Sequence, residues 1–231
     1  DKDIGAAEAA KEEYEFLRAQ ITGKKPLSGN EEPKVCSSAE DLLKEVDIVD
    51  ICTSLRYHAF YAAMALKNNV HVMTEKPMAR SWWEARHVAQ LAKKSSAFFQ
   101  LNDDNLFIPR YLRMRNLIES GYIGDVQSIR IMRGGQGSGR ARWFFDSLEC
   151  GGGALFDYGS HAVTSTWFLI GFDKELEFVR SLGIKVKERT RMVQLRMQSI
   201  EIDDDAQFKI LFRNPKNGYW ITVVIEASWA E

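Results

Sequence analysis

The sequence predicts an α/β chain in two parts. Residues 1–124 read as a parallel sheet covered on both faces by helices, and residues 125–231 as an α+β unit with a mostly antiparallel open sheet. Three observations carry this. Up to Gly124, short apolar strands alternate with helical patterns of roughly 10–15 residues, the signature of parallel βαβ units. After Gly124 a helix is followed by runs of strands, the α+β pattern. Finally, 231 residues with 45% apolar side chains are enough to bury a core, as one large domain or two modest ones.

Each element has a local reason. Ala6, Ala7, Ala10, Tyr14 and Leu17 recur at helical spacing behind Gly5 and predict an amphipathic helix. Gly23, Pro26, Gly29, Asn30 and Pro33 mark a loop from Thr22 to Lys34. Ser37 with Glu40 reads as a capping box that opens a short helix through Leu42 and Leu43. A strand from Ile48 to Thr53, a helix from Tyr57 to Asn68, a strand from Val70 to Met73 and a Ser81-capped helix to about Lys94 follow. Ala97 to Leu101 is the next strand. Pro109 suits the first turn of a helix that Gly121 stops. Beyond it come a strand from Val126 to Arg133, a glycine-rich loop and a helix from about Ala154 to Ile170. Strands at Phe178–Lys187, Ala206–Phe212 and Tyr219–Ser228 complete the pattern.

The charge balance excludes some functions. With 31 Lys+Arg against 32 Asp+Glu, the net charge of −1 argues against a nucleic-acid-coating surface. No apolar run approaches the ~18 residues of a membrane span. Cys36, Cys52 and Cys150 form neither a disulfide framework nor a C-x-x-C pair, so a reducing, cytoplasmic setting is the default expectation. The chain opens at Asp1, on a helix rather than a strand, and nothing closes the sheet after Trp229. It reads as the middle of a longer protein.

A dinucleotide fingerprint, G-x-G-x-x-G between strand and helix, is absent. Gly135, Gly137 and Gly139 come nearest, with Arg140 in the third glycine's place, and read better as a loop near a cleft. Asp1 stands where a ribose-binding acid would follow a missing strand–helix–strand, or else favours the dipole of the first helix. In open α/β sheets ligands bind beyond the carboxyl ends of the strands, so Glu75-Lys76-Pro77 aims one rigidly mounted ammonium at that crevice. An ordinary surface lysine in a strand-to-helix turn is the simpler reading of those three residues alone.

The densest signal is Gly151 to His161. Three glycines admit close backbone approach to a ligand. Asp157 and His161, four residues apart, share a helix face, and a carboxylate beside an imidazole tunes a histidine for proton transfer. Of the other histidines, His58 is placed to line the crevice, His71 reads as a satisfied core residue and His87 as solvated. Asp203-Asp204-Asp205 reads as a solvated turn rather than a cation site. No group of His, Cys or carboxylates has metal-ligand spacing with supporting context.

Taken together, these segments resemble the Gfo/Idh/MocA family of NAD(P)-dependent oxidoreductases. The matching text is Val49-Asp50-Ile51-Cys52-Thr53 with His58, then His71 to Ala79, Ile118 to Val126, Arg142-Trp143-Phe144-Phe145-Asp146 leading into Gly151–His161, and Glu226-Ala227-Ser228-Trp229. Motifs in register over nearly the whole chain are more specific together than any one alone. The resemblance implies a Rossmann-type first domain and a second domain whose open sheet forms homo-oligomer contacts. It implies that Lys76 touches nicotinamide ribose and substrate, with a Lys76–Pro77 bond free to be cis. It also implies that Thr53, His58 and Glu75 line the nicotinamide end, and that Asp157 and His161 are the catalytic pair. Ser54 departs from the family's frequent proline.

The expected reaction is hydride transfer between NAD or NADP and a hydroxyl of a sugar, cyclitol or related polyol. Asp1 favours NAD, whereas Lys2 beside it suits a 2′-phosphate. His161 is the expected base, Asp157 orients it and bonds the hydroxyl, and Lys76 stabilises alkoxide charge. Asn102, Asn105, Arg142 and Trp143 are candidates for substrate contact, the last two equally for domain packing. The competing functions are a glycosidase using transient oxidation by tightly held NAD, and a non-catalytic dinucleotide-binding regulator.

Overall fold

The computed structural model describes residues 3–23, 32–135, 137, 142–187, 189–193 and 195–230. Asp1, and the loop positions Gly139 and Arg140, lie outside these residues.

Helix α1 (Ile4–Thr22) is capped by Asp3, whose carboxylate accepts the Ala6 N–H, and stops at Gly23 in the left-handed region (φ 63°). It buries no residue, so the expected apolar face stays exposed. Helix α2 (Ala39–Leu42) starts one residue later than the sequence suggests. Ser38, not Ser37, accepts the Asp41 N–H, and Asp41 rather than Glu40 answers the Ser38 hydroxyl. Both spacings satisfy the capping pattern, and local composition does not choose between them.

Strands β1 (Ile48–Ile51), β2 (His71–Thr74) and β3 (Phe99–Leu101) form a parallel sheet in that order. Helices α3 (Leu55–Lys67) and α4 (Trp82–Lys94) make the two crossovers and pack on each other. Val72 faces Val49 on one side and Phe99 on the other. Ile51, Val72, Ala62, Ala65, Leu66 and Val88 form the core between sheet and helices. His71 accepts the Phe98 N–H at Nδ1, 2.9 Å away, as a satisfied histidine should. A 3₁₀ turn over Asp104–Phe107, not foreseen in the sequence, follows β3. It leads into α5 (Pro109–Glu119), which lies against the helix Ser160–Ile170.

The second sheet runs β4 (Ser128–Gly134), β9 (Trp220–Ser228), β8 (Asp205–Arg213), β5 (Glu175–Lys185). Only β4 and β9 are parallel; the other two pairings are antiparallel. Alternate residues of β8 and β9 (Phe208, Ile210, Phe212, Ile221, Val223, Ile225) turn one way, against Ala162, Trp167 and Ile170. Val223 and Ile225 are completely buried, each contributing about 1.5–3 kcal/mol of transfer free energy. Edge strand β5 leaves Leu176, Val179, Leu182 and Ile184 about half exposed.

Between β4 and β5 lie α6 (Ser147–Cys150), a π-helical turn (Leu155–Gly159) and α7 (Ser160–Ile170). A hairpin, β6 (Thr190–Val193) with β7 (Arg196–Ser199), escaped the sequence reading because its strands are short and half polar. Its Val193 joins Phe145, Cys150, Ala154 and Trp229 in a small third core. No helix among the described residues is long and apolar enough to cross a membrane.

Candidate active site

The residues that follow β1, β2 and β3 all stand at the carboxyl edge of the parallel sheet, where α/β proteins bind ligands. After β1, Thr53 is exposed and the chain turns into α3 at Ser54. After β2, Glu75 is exposed and the Lys76–Pro77 peptide is cis. His58, at 2% exposure, ties these two turns together. Its Nδ1 lies 2.8 Å from the Pro77 carbonyl oxygen and its Nε2 3.0 Å from that of Thr53. His58 therefore shapes the rim through its ring nitrogens.

Lys76 reaches across to the second half of the molecule. Its Nζ donates to Asp157 Oδ1 at 2.8 Å and to the Asp157 carbonyl at 3.3 Å. The two side chains are only 16% and 15% exposed, so this ion pair is little screened by solvent. The other carboxylate oxygen of Asp157 accepts the Trp229 indole N–H at 3.1 Å.

A cavity of about 190 Å³ opens beside the pair. Thr53, His58, Glu75, Lys76, Trp143 and Asp157 all line it. Cys52 and Cys150 line it too, and burial pushes both thiols up, which keeps them neutral. A second cavity of about 480 Å³ shares Lys76, Pro77 and Phe156; apolar side chains such as Leu155, Val163, Ile184 and Phe208 make most of its wall, with the hydroxyl residues Ser160, Thr164 and Ser181 among them. Hydrogen bonds stitch the two halves nearby. Ser54 Oγ donates to Glu149 Oε2 at 2.7 Å, Arg56 to Glu149 Oε1 at 3.2 Å and Arg80 to the Leu148 carbonyl at 3.1 Å. The serine that departs from the family's proline thus makes a contact proline cannot make.

Several expectations need correction. Asp157 does not orient His161. The turn between them is π-helical rather than α-helical, which breaks the i,i+4 stacking. His161, whose side chain is 12% exposed, instead places Nδ1 2.8 Å from Asp103 Oδ1, at the end of β3. His161 lines neither cavity. Asn105 cannot serve substrate hydroxyls. It is 2% exposed, its amide nitrogen lies against Asp103, Asp104 and His161, and its oxygen accepts from Arg133 Nη1 at 3.0 Å. Asn102 accepts from Gln100 and lines neither cavity. Arg142 turns to Gln198 on β7, while its neighbour Trp143 stacks on Phe144 and faces the cavity.

The glycine run has a different cause from the one expected. A Cβ on Gly153 would stand 1.7 Å from the Asp203 carbonyl oxygen. Protein backbone, not a ligand, makes the close approach. Asp203 itself accepts the N–H groups of Gly153 (2.8 Å) and Leu155 (2.7 Å), and its carbonyl accepts that of Ala154 (2.8 Å). The acidic run read as a solvated turn is therefore a structural clamp, with Asp204 and Asp205 both buried.

Asp103, 5% exposed, was missed altogether. Burial pushes its carboxyl up, but the hydrogen bond and charge of His161, with two bonds from Asn105, outweigh that and hold it below the usual carboxylate range. Asp103, Asp104 and His161 bring one ligand-type atom each within 4.8 Å. The Nδ1 atom that His161 offers to this group already faces Asp103, and Arg133 brings positive charge to the same cluster.

Residues 11–103 match a family model described as an oxidoreductase family with an NAD-binding Rossmann fold, and residues 111–231 match the GFO/IDH/MocA C-terminal domain. The chain is 29% identical over 128 residues to D-glucoside 3-dehydrogenase of Escherichia coli (strain K12), covering 54% of this chain and 36% of that protein. It is 28% identical over 192 residues to D-xylose dehydrogenase of Paenarthrobacter nicotinovorans, covering 80% and 48%. The chain thus spans between a third and a half of the length of these curated relatives. Among solved structures, an oxidoreductase domain protein from Kribbella flavida superposes with a TM-score of 0.70 at 27% identity, covering 83% of this chain and 51% of that one. A levoglucosan dehydrogenase in complex with NADH shares the fold, with a TM-score of 0.67 at 24% identity, covering 82% and 50%. The parallel sheet that matches the first model, and the match of the second to more than half of the residues, establish that this chain belongs to the GFO/IDH/MocA family.

Proposed function

We propose that the protein is an NAD(P)-dependent oxidoreductase that moves a hydride between the nicotinamide and a hydroxyl of a sugar, cyclitol or related polyol. The observation that carries this reading is the Lys76–Asp157 pair, 2.8 Å long and shielded, on the wall of a cavity at the carboxyl edge of the parallel sheet. Relatives named as glucoside, xylose and levoglucosan dehydrogenases support the substrate class.

The residues present fit a nicotinamide end. About 190 Å³ is below the roughly 300–1,000 Å³ of whole-ligand pockets, so it suits one end of a dinucleotide. Thr53 and Glu75 offer a hydroxyl and a carboxylate on exposed turns, and Trp143 and Phe144 offer flat apolar walls. When bound, the cofactor supplies the hydride acceptor. Lys76 donates to the substrate oxygen and stabilises the charge that develops there, while Asp157 holds the ammonium in place and accepts from a neighbouring hydroxyl. His161 takes the hydroxyl proton, in the family's base position. NAD is favoured over NADP, the division of the chain falls near residue 124, and the apolar side of β5 is the site of homo-oligomer contact. A cytoplasmic location completes the reading.

The test supplies the full-length protein with NAD⁺ or NADP⁺ and a panel of sugars and cyclitols, and follows the absorbance of the reduced nicotinamide. Turnover on at least one polyol, lost in Lys76→Ala, is expected. Binding of the dinucleotide with no turnover on the whole panel overturns the proposal, and full turnover by Lys76→Ala overturns the role given to Lys76.

A further inference from the structure

We propose that Asp103 is the positioning residue for His161: its carboxylate holds the Nδ1–H and thereby leaves Nε2 unprotonated as the atom that takes the substrate proton. The inference rests on the function proposed above.

Asp157, the carboxylate nearest in sequence, has both oxygens engaged elsewhere, one by Lys76 and one by Trp229. Asp103 Oδ1 is the carboxylate oxygen that meets the ring, 2.8 Å from Nδ1. The proton on Nδ1 follows from donor accounting. Arg133 carries only donors, so its bond to Asn105 fixes the amide oxygen on that side and turns the NH₂ toward the cluster. That NH₂ finds acceptors in Asp103 Oδ1 (3.1 Å) and Asp104 Oδ1 (3.2 Å). Its approach to Nδ1, 2.5 Å, is shorter than a normal hydrogen bond between two nitrogens and does not choose the tautomer; the Asp103 carboxylate, which can only accept, does. A bare Nδ1 would set its lone pair against a carboxylate oxygen, whereas an Nδ1–H is satisfied by it. Nε2 has no partner among the described residues.

The cluster is held rigidly. Asp103 also caps the 3₁₀ turn by accepting the Asn105 N–H at 3.1 Å. Its second oxygen, Oδ2, is buried without a hydrogen-bond partner. A carboxylate kept in that state at a cost in desolvation points to a task beyond capping, which one oxygen already performs. The charged groups around the ring are accounted for. Asp104, on the 3₁₀ turn, stands 3.9 Å from Nδ1, and Arg133 of β4 engages Asn105. From α5, Arg115 donates to the Phe168 carbonyl, and on β9 Glu226 pairs with Arg130. In the π turn, Asp157 pairs with Lys76.

The experiment has two arms. In the resting protein, nitrogen NMR of His161 reads the tautomer directly. A proton on Nδ1 is expected, and a neutral ring protonated at Nε2 overturns the proposal whether or not any variant folds. In the second arm, Asp103→Asn is compared with wild type on a polyol that turns over. We expect kcat to fall about 10²–10⁴-fold with KM within a few-fold. The acidic limb of the kcat/KM profile should move as well, a readout that a purely structural role leaves in place. Asp104→Asn, at the exposed neighbour, should leave kcat within a few-fold. A loss expressed in KM or thermal midpoint alone, with the acidic limb unmoved, assigns Asp103 a purely structural role and refutes the inference. If Lys76→Ala and His161→Ala are inactive while Asp103→Asn is not, this inference fails and the oxidoreductase reading stands. If those two variants retain full turnover, the roles given to Lys76 and His161 fail; if the wild type binds dinucleotide but turns over no polyol, it is the oxidoreductase reading that fails.

Discussion

The turn after β2 and the segment from Gly151 to His161 both deliver groups to the same crevice, but they are held in different ways. The turn is made locally. Strand, acid, lysine and proline follow one another, and His58, 19 residues away on the preceding crossover, meets the turn with its ring nitrogens. The glycine-to-helix segment is held from far along the chain. Asp203 clamps its start from 50 residues away in sequence, and Asp103 takes its histidine from 58 residues away. A group mounted by neighbours is legible from its neighbours. A group mounted by distant partners shows only its own chemistry.

That contrast can be sharpened experimentally. The largest expected effect is on turnover. Lys76→Met removes the ammonium but keeps most of the stem, and kcat should fall about 10²–10³-fold, or ~3–4 kcal/mol, with the fold intact by circular dichroism. Next comes Gly153→Ala. With 1.7 Å between the new methyl and the Asp203 carbonyl, the backbone has to shift, and unfolding in urea should show a loss of about 3 kcal/mol or more. An unchanged midpoint would show that the clamp is slack and the comparison mistaken. Asp203→Ala strips two N–H groups of their acceptor and should cost about 2 kcal/mol by the same measurement.

His58→Leu probes the local turn. It removes the ring from between the Pro77 and Thr53 carbonyls, to one of which a neutral imidazole donates, at about 1–3 kcal/mol. A loss larger than that of Gly153→Ala would reverse the comparison. The smallest effect is a pH dependence. The Asp103 carboxyl is lowered in the folded state, so its contribution to stability is fully present above its unfolded value of about 3.9 and is lost as pH falls through the lower folded value. The stability difference between wild type and Asp103→Asn should therefore shrink on acidification below about pH 4. A difference that stays constant into strong acid would contradict this.

The same division explains what could be read in advance. Periodicity and punctuation located β1 to β3 and their crossover helices, through short apolar runs between turn signals, and the core strands β8 and β9, which bury alternate residues. The Ser38 cap was displaced by one residue because adjacent serines each have an acid three residues on. The π turn was invisible because nothing in Leu155–Gly159 distinguishes it from an α-helical turn. Asp203 looked like a solvated acid and Asp103 like a loop residue, since burial of a carboxylate depends on donors that arrive only in three dimensions. Glu75, Thr53, Trp143 and Asp157 share the wall of one cavity; the glycine break before Asp157 drew attention to it, whereas the other three were picked out through the family resemblance. Asn105 and Arg142 were misjudged because proximity in sequence says nothing about which way a side chain is drawn.

The carboxylate of Asp157 answers an ammonium rooted in one sheet and an indole at the tip of the other. Neither half of the polypeptide can therefore set the crevice's electrostatic state by itself. An isolated N-terminal half would present Lys76 without its counter-ion, and an isolated C-terminal half would bury an acid with one oxygen unanswered. Assembly of the two halves and maturation of the charge arrangement are, on this account, a single event.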